Sequence, residues 1–158
     1  MSQLHERTTG TARPIADKAI LSEPRRGSTK ATALRVLGAL AILVVGAVHL
    51  EQYFAVHFNV VPIIGPLFVL NFAGATMIGL GLLIPHVRLR LMHILLALGG
   101  IGLAAASFVF LFISEHHTLF GFHDYGYRAA IVIALAAEAA AVLLLTGYLV
   151  VRSRGRGA

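Results

Sequence analysis

Residues 89–113 read LRLMHILLALGGIGLAAASFVFLFI, a run that contains a single charged side chain, Arg90. An α-helix needs about 20 apolar residues to cross the ~30 Å hydrocarbon layer of a bilayer, and this run is long enough. It is about twice as long as a strand of a membrane barrel and lacks the alternation of apolar and polar residues that such a strand requires. The run therefore predicts a transmembrane helix.

Three further apolar runs have the same character and cover residues 33–50, 63–84 and 129–151. The chain of 158 residues is 58% hydrophobic and 13% charged, whereas soluble domains are about 25% charged. We therefore predict an all-α polytopic membrane protein, a bundle of four transmembrane helices that is surrounded by the lipid bilayer.

The polar ends of the chain predict two tails around this bundle. Residues 1–30 are polar, contain two prolines and show no sustained apolar period, which is typical of a disordered segment. We predict a disordered basic tail over 1–30, a transmembrane domain over 31–152 and a short basic tail over 153–158. A cleavable signal peptide is not expected, because the first apolar run is long and three more follow it.

The basic residues lie on one side of the predicted bundle. Twelve of the 13 occur before residue 36, at Arg88 and Arg90, or after Val151, and only Arg128 falls on the other side. Because cytoplasmic loops carry the excess of lysine and arginine, we predict cytoplasmic termini in a plasma membrane. The charges flank apolar runs instead of covering a soluble face, so a nucleic-acid partner is not expected.

The two outward loops concentrate side chains that bind metals. His49, Glu51, His116 and His117 combine imidazole and carboxylate groups, which suit zinc, copper(II) or iron. His49 with His116 or His117 would also serve as the axial pair of a haem. The alternative is a set of interfacial polar residues within an aromatic anchoring belt. The aromatic residues of these loops are Tyr53, Phe54, Phe58, Phe120, Phe122, Tyr125 and Tyr127.

Glu138 is the one carboxylate well inside a predicted span. It follows Arg128 by ten residues, which places it about 15 Å deep at 1.5 Å per residue. Asn71 reaches a similar depth, and Ser107 lies somewhat shallower. An ionised carboxylate there is costly, so Glu138 should face the bundle. It either shares a structural hydrogen bond with Asn71, in which case leucine at position 138 is destabilising, or it handles protons or a ligand.

Small residues four apart predict where the helices approach each other closely. Such pairs are Ala75 with Gly79, Gly100 with Ala104, Gly102 with Ala106, and Ala136 with Ala140. They favour a compact bundle and leave open whether the neighbouring helix belongs to the same chain.

No reaction motif is present in the sequence. It has no phosphate loop, nucleophile elbow, dinucleotide fingerprint or two-histidine zinc helix, and the absence of cysteine excludes thiolate chemistry. We therefore predict a non-enzymatic accessory or interaction subunit, whose partner is another membrane protein or a second copy. The alternatives are a metal- or haem-binding redox protein with the outer histidine site, and a small proton-coupled transporter that uses Glu138.

The stretch from Arg35 to Asn71 resembles a family of small uncharacterised four-span membrane proteins from actinobacteria. The resemblance is carried by His49-Leu50, Tyr53 and VPIIGPLFVLN at residues 61–71. Arginine outnumbers lysine eleven to two, which is similar to the usage of high-GC genomes. The resemblance implies a bacterial plasma membrane and no particular activity.

The predicted orientation is testable with reporter fusions. An enzyme that is active only outside the cytoplasm should be inactive when fused after Arg152, because the basic residues there stay inside. The same enzyme inserted in the loop after Tyr53 should be active. Activity of the fusion after Arg152 would contradict the orientation.

Overall fold

The computed structural model describes residues 26–85, 90–118 and 128–155. In these ranges the chain forms four α-helices, α1 (Arg26–Ala55), α2 (Ile64–Leu83), α3 (Arg90–His116) and α4 (Ala129–Arg154), with a short 3-10 turn at Phe58–Val60. Each of the four helices is long and apolar enough to cross a membrane. The predicted all-α fold with four spans is confirmed.

The first helix is longer than the apolar run at both ends. It begins at Arg26, inside the segment predicted to be a tail, and it continues past Leu50 to Ala55. No proline occurs between residues 24 and 62, and Arg, Lys, Glu and Gln are good helix formers, so polar flanks extend the helix. The rest of the predicted tail, Arg88 and the loop residues 119–127 lie outside the described residues.

Contacts near the helix ends show that successive helices run in opposite directions. Arg35 early in α1 contacts the carbonyl of Leu82 late in α2, whereas His49 late in α1 contacts Ser107 in the second half of α3. The helix α1 packs mainly on α4 and α2, and α3 packs on α4 and α2. We call the end where α1 begins and α4 ends the terminal end, and the opposite end the loop end.

Small residues bring the helices close together, as the spacing predicts. A Cβ atom added at Gly46 would lie 2.9 Å from the Cβ of Ala75, and one at Gly79 would lie 2.6 Å from Cγ of Leu43. Gly100 and Ala104 are buried in the same way. Gly102 instead faces outward, with no atom within 4 Å of an added Cβ. Two predicted pairs, Ala75 with Gly79 and Gly100 with Ala104, therefore pack inside the bundle. The other two do not, since Gly102, Ala106 and Ala136 are exposed and Ala140 is only half-buried.

The connection from α1 to α2 packs against the loop end of the bundle. Phe58 in the 3-10 turn is only 6% exposed and packs on Phe68, with ring centroids 4.9 Å apart. Gly65 permits this approach, because a Cβ there would lie 2.8 Å from the carbonyl oxygen of Phe58. Phe58 was expected to belong to the aromatic anchoring belt, and this expectation is wrong because its side chain is buried. Phe54 of the same belt is exposed, as expected.

A pair of glycine variants tests this packing. Gly46→Leu should destabilise the protein, because overpacking a closely fitted contact costs about 1–3 kcal/mol or more. Gly102→Leu is the matched control, since its side chain would enter open space. Thermal unfolding in mild detergent should show a lower Tm for the first variant only. Equal Tm values for both variants would contradict the α1–α2 contact.

Candidate functional site at the loop end of the bundle

A cavity of about 250 Å³ lies at the loop end, bounded by all four helices and the 3-10 turn. It borders the surface between α2 and α3, where Leu70 and Phe110 line it and are 65% and 45% exposed. These exposed side chains belong to the apolar surface that lipid would cover. For comparison, an engineered cavity of about 150 Å³ holds benzene. The cavity therefore has room for a substituted ring.

The wall of this cavity is mostly apolar, with a few polar side chains that converge on it. The polar lining residues are His49, Gln52, Asn71, Ser107, Ser114 and Arg128. An apolar pocket with a small number of convergent polar groups is typical of small-molecule sites. Arg128 lies over the ring of Phe58, 5.8 Å from its centroid, so the aromatic turn that forms the floor also positions the cation.

His49 uses both of its ring nitrogens. Nδ1 is 2.8 Å from the carbonyl oxygen of Val45, one turn earlier, and Nε2 is 3.0 Å from Oγ of Ser107. A carbonyl can only accept, so Nδ1 carries a hydrogen and donates it to Val45. In the neutral imidazole Nε2 then accepts the hydroxyl hydrogen of Ser107. The bond fixes the ring against Phe68, with centroids 4.9 Å apart.

Two amide oxygens on the wall are buried and lack partners. Oε1 of Gln52 and Oδ1 of Asn71 make no hydrogen bond within the described part of the chain. Leaving a buried acceptor unsatisfied costs about 1–3 kcal/mol. Both residues line the cavity, so a group with O–H or N–H donors there would satisfy them.

Glu138 lies behind this wall. It is 0% exposed, and neither carboxyl oxygen has a hydrogen-bond partner among residues 26–85, 90–118 and 128–155. The predicted bond between Glu138 and Asn71 is absent. An ionised carboxylate without a partner is costly, so Glu138 is expected to be a neutral acid.

The structure does not bring the predicted metal ligands together. His49 points to Ser107, while Glu51 is exposed and accepts a hydrogen bond from Gln52. His116 is exposed and bonds its own helix at the carbonyl of Phe112, 2.8 Å away, and His117 is exposed. The described residues contain no group of three or more His, Cys, Asp or Glu that would hold a metal. A metal or haem site that recruits residues 119–127 stays a prediction.

One polar cluster was missed by the sequence analysis. At the terminal end, Nη1 of Arg35 donates to the carbonyls of Leu82 and Ile84, the second at 3.1 Å, and Nε2 of His93 is 2.9 Å from the same Ile84 oxygen. These carbonyls belong to the last turn of α2 and have no partner within that helix. A cation there also interacts favourably with the negative, C-terminal end of the helix dipole. The position of Arg35 inside the apolar run was the available signal.

Comparison with known proteins assigns no relative to this chain. No protein family matches it, and neither a curated protein nor a solved structure matches it. The cavity and the side chains around it are therefore what supports a function.

The sequence analysis expected leucine at position 138 to destabilise the protein if Glu138 bonds Asn71. Because Glu138 has no such bond, we now expect the opposite effect on stability. Glu138→Leu should be at least as stable as wild type, since it removes two buried oxygens that cost free energy. Glu138→Gln should stay close to wild type. Thermal unfolding in detergent measures both.

Leu145→Gln is the control for this measurement. It introduces a polar group at another fully buried position of the same helix, and it should lower the Tm clearly. If Glu138→Leu is instead less stable than Glu138→Gln, the carboxyl group has a partner on which the fold depends.

Proposed function

We propose that this chain is a non-enzymatic integral membrane protein that binds a lipid-soluble small molecule in the loop-end cavity. The observation that carries the proposal is the cavity itself, which is apolar, borders the lipid-facing surface between α2 and α3, and contains the unpartnered oxygens of Gln52 and Asn71. The bound molecule would carry a hydroxyl group, because O–H donors match these two acceptors.

The cavity volume supports a particular binding mode. About 250 Å³ accommodates a ring with substituents but not a complete membrane lipid. The polar end of the ligand would lie against Gln52 and Asn71, and an apolar tail would leave between Leu70 and Phe110 into the bilayer. Burial of the ring would contribute most of the affinity, at about 25 cal/mol per Å² of apolar surface.

A pair of neighbouring alanines tests the binding site. Both side chains are exposed, but only Ala106 lines the cavity, and Ala105 does not. Ala106→Phe should fill the space and exclude the ligand, while Ala105→Phe should place its ring in lipid. Organic extracts of both variants and of wild type, purified from the same membranes, would be compared by mass spectrometry.

The expected result is one apolar hydroxyl compound that co-purifies with wild type and with Ala105→Phe, and is lost from Ala106→Phe. Thermal unfolding must show that both variants are folded. Equal recovery of every bound compound from the two variants would contradict the proposed site.

We also propose that the protein acts as an accessory subunit of another membrane protein or pairs with a second copy. The outward face of α3 supports this, because Gly102 has open space above it and would let another helix approach closely. Gly102→Leu keeps the internal packing and should abolish co-purification of a partner or self-association. Such a loss could then be attributed to the outward face of α3 and not to unfolding. Unchanged association in Gly102→Leu would count against this face.

The proposed location is a bacterial plasma membrane with both termini in the cytoplasm. The one-sided distribution of basic residues supports this orientation, and the resemblance to small actinobacterial membrane proteins supports the location. The start of α1 and the end of α4 lie at the same end of the bundle, which is compatible with it.

A further inference from the structure

We propose that the loop-end cavity binds the reduced form of a lipid-soluble quinone, a hydroquinone with two O–H groups, and discriminates against the oxidised form. This inference rests on the proposed function, to which it adds the chemical class and the oxidation state of the ligand. The oxidised form has carbonyl oxygens where the reduced form has hydroxyl groups. The choice between them therefore depends on whether the polar wall offers donors or acceptors.

The ring of such a molecule suits the apolar part of the cavity. Phe58, Phe68 and Phe110 line it, and aromatic rings pack favourably against one another. The volume of about 250 Å³ holds the substituted ring, while the tail of the molecule would extend into the bilayer. The apolar lining therefore favours a ring compound and suits both oxidation states.

Three polar side chains of the wall use their hydrogens inside the protein. Nδ1 of His49 donates to the carbonyl oxygen of Val45, and the Ser107 hydroxyl donates to Nε2 of His49. The Ser114 hydroxyl donates to the carbonyl oxygen of Leu111 at 2.9 Å. Both serine oxygens keep lone pairs that can accept a hydrogen bond. This part of the wall therefore presents acceptors to a molecule in the cavity.

Gln52 adds an acceptor whose orientation is fixed by its neighbour. Its Nε2 donates to the carboxylate of Glu51, which only accepts, so the NH₂ side of the amide faces Glu51 and Oε1 is turned away from it. The Gln52 side chain lines the cavity and is only 7% exposed, and Oε1 has no partner within the described part of the chain. An O–H group satisfies this oxygen, whereas a carbonyl oxygen cannot. Glu51 is therefore a positioning residue for the acceptor.

Two other polar residues of the wall do not distinguish the two forms by donating. Arg128 and the amide group of Asn71 line the cavity, and their N–H groups can donate to an oxygen. A hydroxyl oxygen accepts as a carbonyl oxygen does, so such a bond adds affinity for either form. The acceptors decide the preference, because a site that bonds a hydroxyl group rejects an analogue that lacks it.

Preferential binding of the reduced form changes the redox behaviour of the bound molecule. Binding and reduction are linked, so a tenfold preference raises the midpoint potential of the bound two-electron couple by about 30 mV. The cavity therefore holds the molecule reduced more strongly than the surrounding bilayer does.

Equilibrium binding of synthetic probes to the protein in lipid nanodiscs tests the preference. The probes are a decyl-substituted benzohydroquinone kept without oxygen, the corresponding benzoquinone, and the dimethyl ether of the hydroquinone, which has the ring but no O–H group. Empty nanodiscs correct for partition into lipid. Wild type should bind the hydroquinone about tenfold or more tightly than either of the other two probes.

Three variants assign the preference to Gln52 and Glu51. Gln52→Leu should weaken hydroquinone binding about tenfold and leave quinone binding unchanged, because it removes only the acceptor. Glu51→Gln should bring the two affinities closer together, since a second amide permits both orientations of Gln52. Glu51 is exposed, so this variant keeps the test decisive if Gln52→Leu does not fold. Glu115→Gln is the matched control, because it removes the same charge at a residue that does not line the cavity, and it should keep the preference.

Three results would overturn the inference. The first is equal affinity of wild type for the hydroquinone and the quinone, and the second is a preference that neither Gln52→Leu nor Glu51→Gln changes. The third is the absence of saturable binding of all three probes. The proposed function is decided separately, by whether any hydroxyl compound that co-purifies with wild type is lost from Ala106→Phe and kept by Ala105→Phe.

Discussion

The hydrogen bond between the His49 imidazole and the Ser107 hydroxyl is the polar contact on which the loop-end half of the bundle depends. Within a bilayer the helices satisfy their own backbone groups, and no water is at hand for the side chains. The helices α1 and α3 touch each other little elsewhere, because α2 and α4 lie between them. This bond joins them across the cavity, and it sets the ring of His49 on Phe68.

The two ends of the bundle differ in how their polar groups are satisfied. At the terminal end, Arg35 and His93 take up the last carbonyls of α2, and large side chains such as Tyr148 and Leu82 fill the interior. At the loop end, the oxygens of Gln52 and Asn71 stay unpartnered on the wall of a cavity. A packed end and an end with unsatisfied acceptors suit a scaffold that binds a ligand at one place.

The sequence was sufficient to predict the four spans, because bilayer thickness sets helix length independently of the neighbours. It was also sufficient to place Glu138 inside the bundle, since depth alone makes a charge there costly. The sequence did not predict which buried polar side chains form hydrogen bonds with each other. Asn71 and Glu138 lie at similar depth and do not bond, because helix rotation is set by close contacts such as Gly46 with Ala75. Arg35 was counted among the cytoplasmic basic residues, since the charge rule does not distinguish an arginine that caps a helix from an exposed one.

Nitrogen NMR of the protein labelled with ¹⁵N-histidine, in lipid bilayers, tests the central contact most directly. His49, assigned by comparison with His49→Gln, should be neutral with its hydrogen on Nδ1, because Val45 offers only an acceptor and Ser107 donates to Nε2. Ser107→Ala should shift the Nε2 resonance, and Ser114→Ala should leave it in place. A hydrogen on Nε2 alone, or an Nε2 resonance that ignores Ser107→Ala, would contradict the bond that joins α1 to α3.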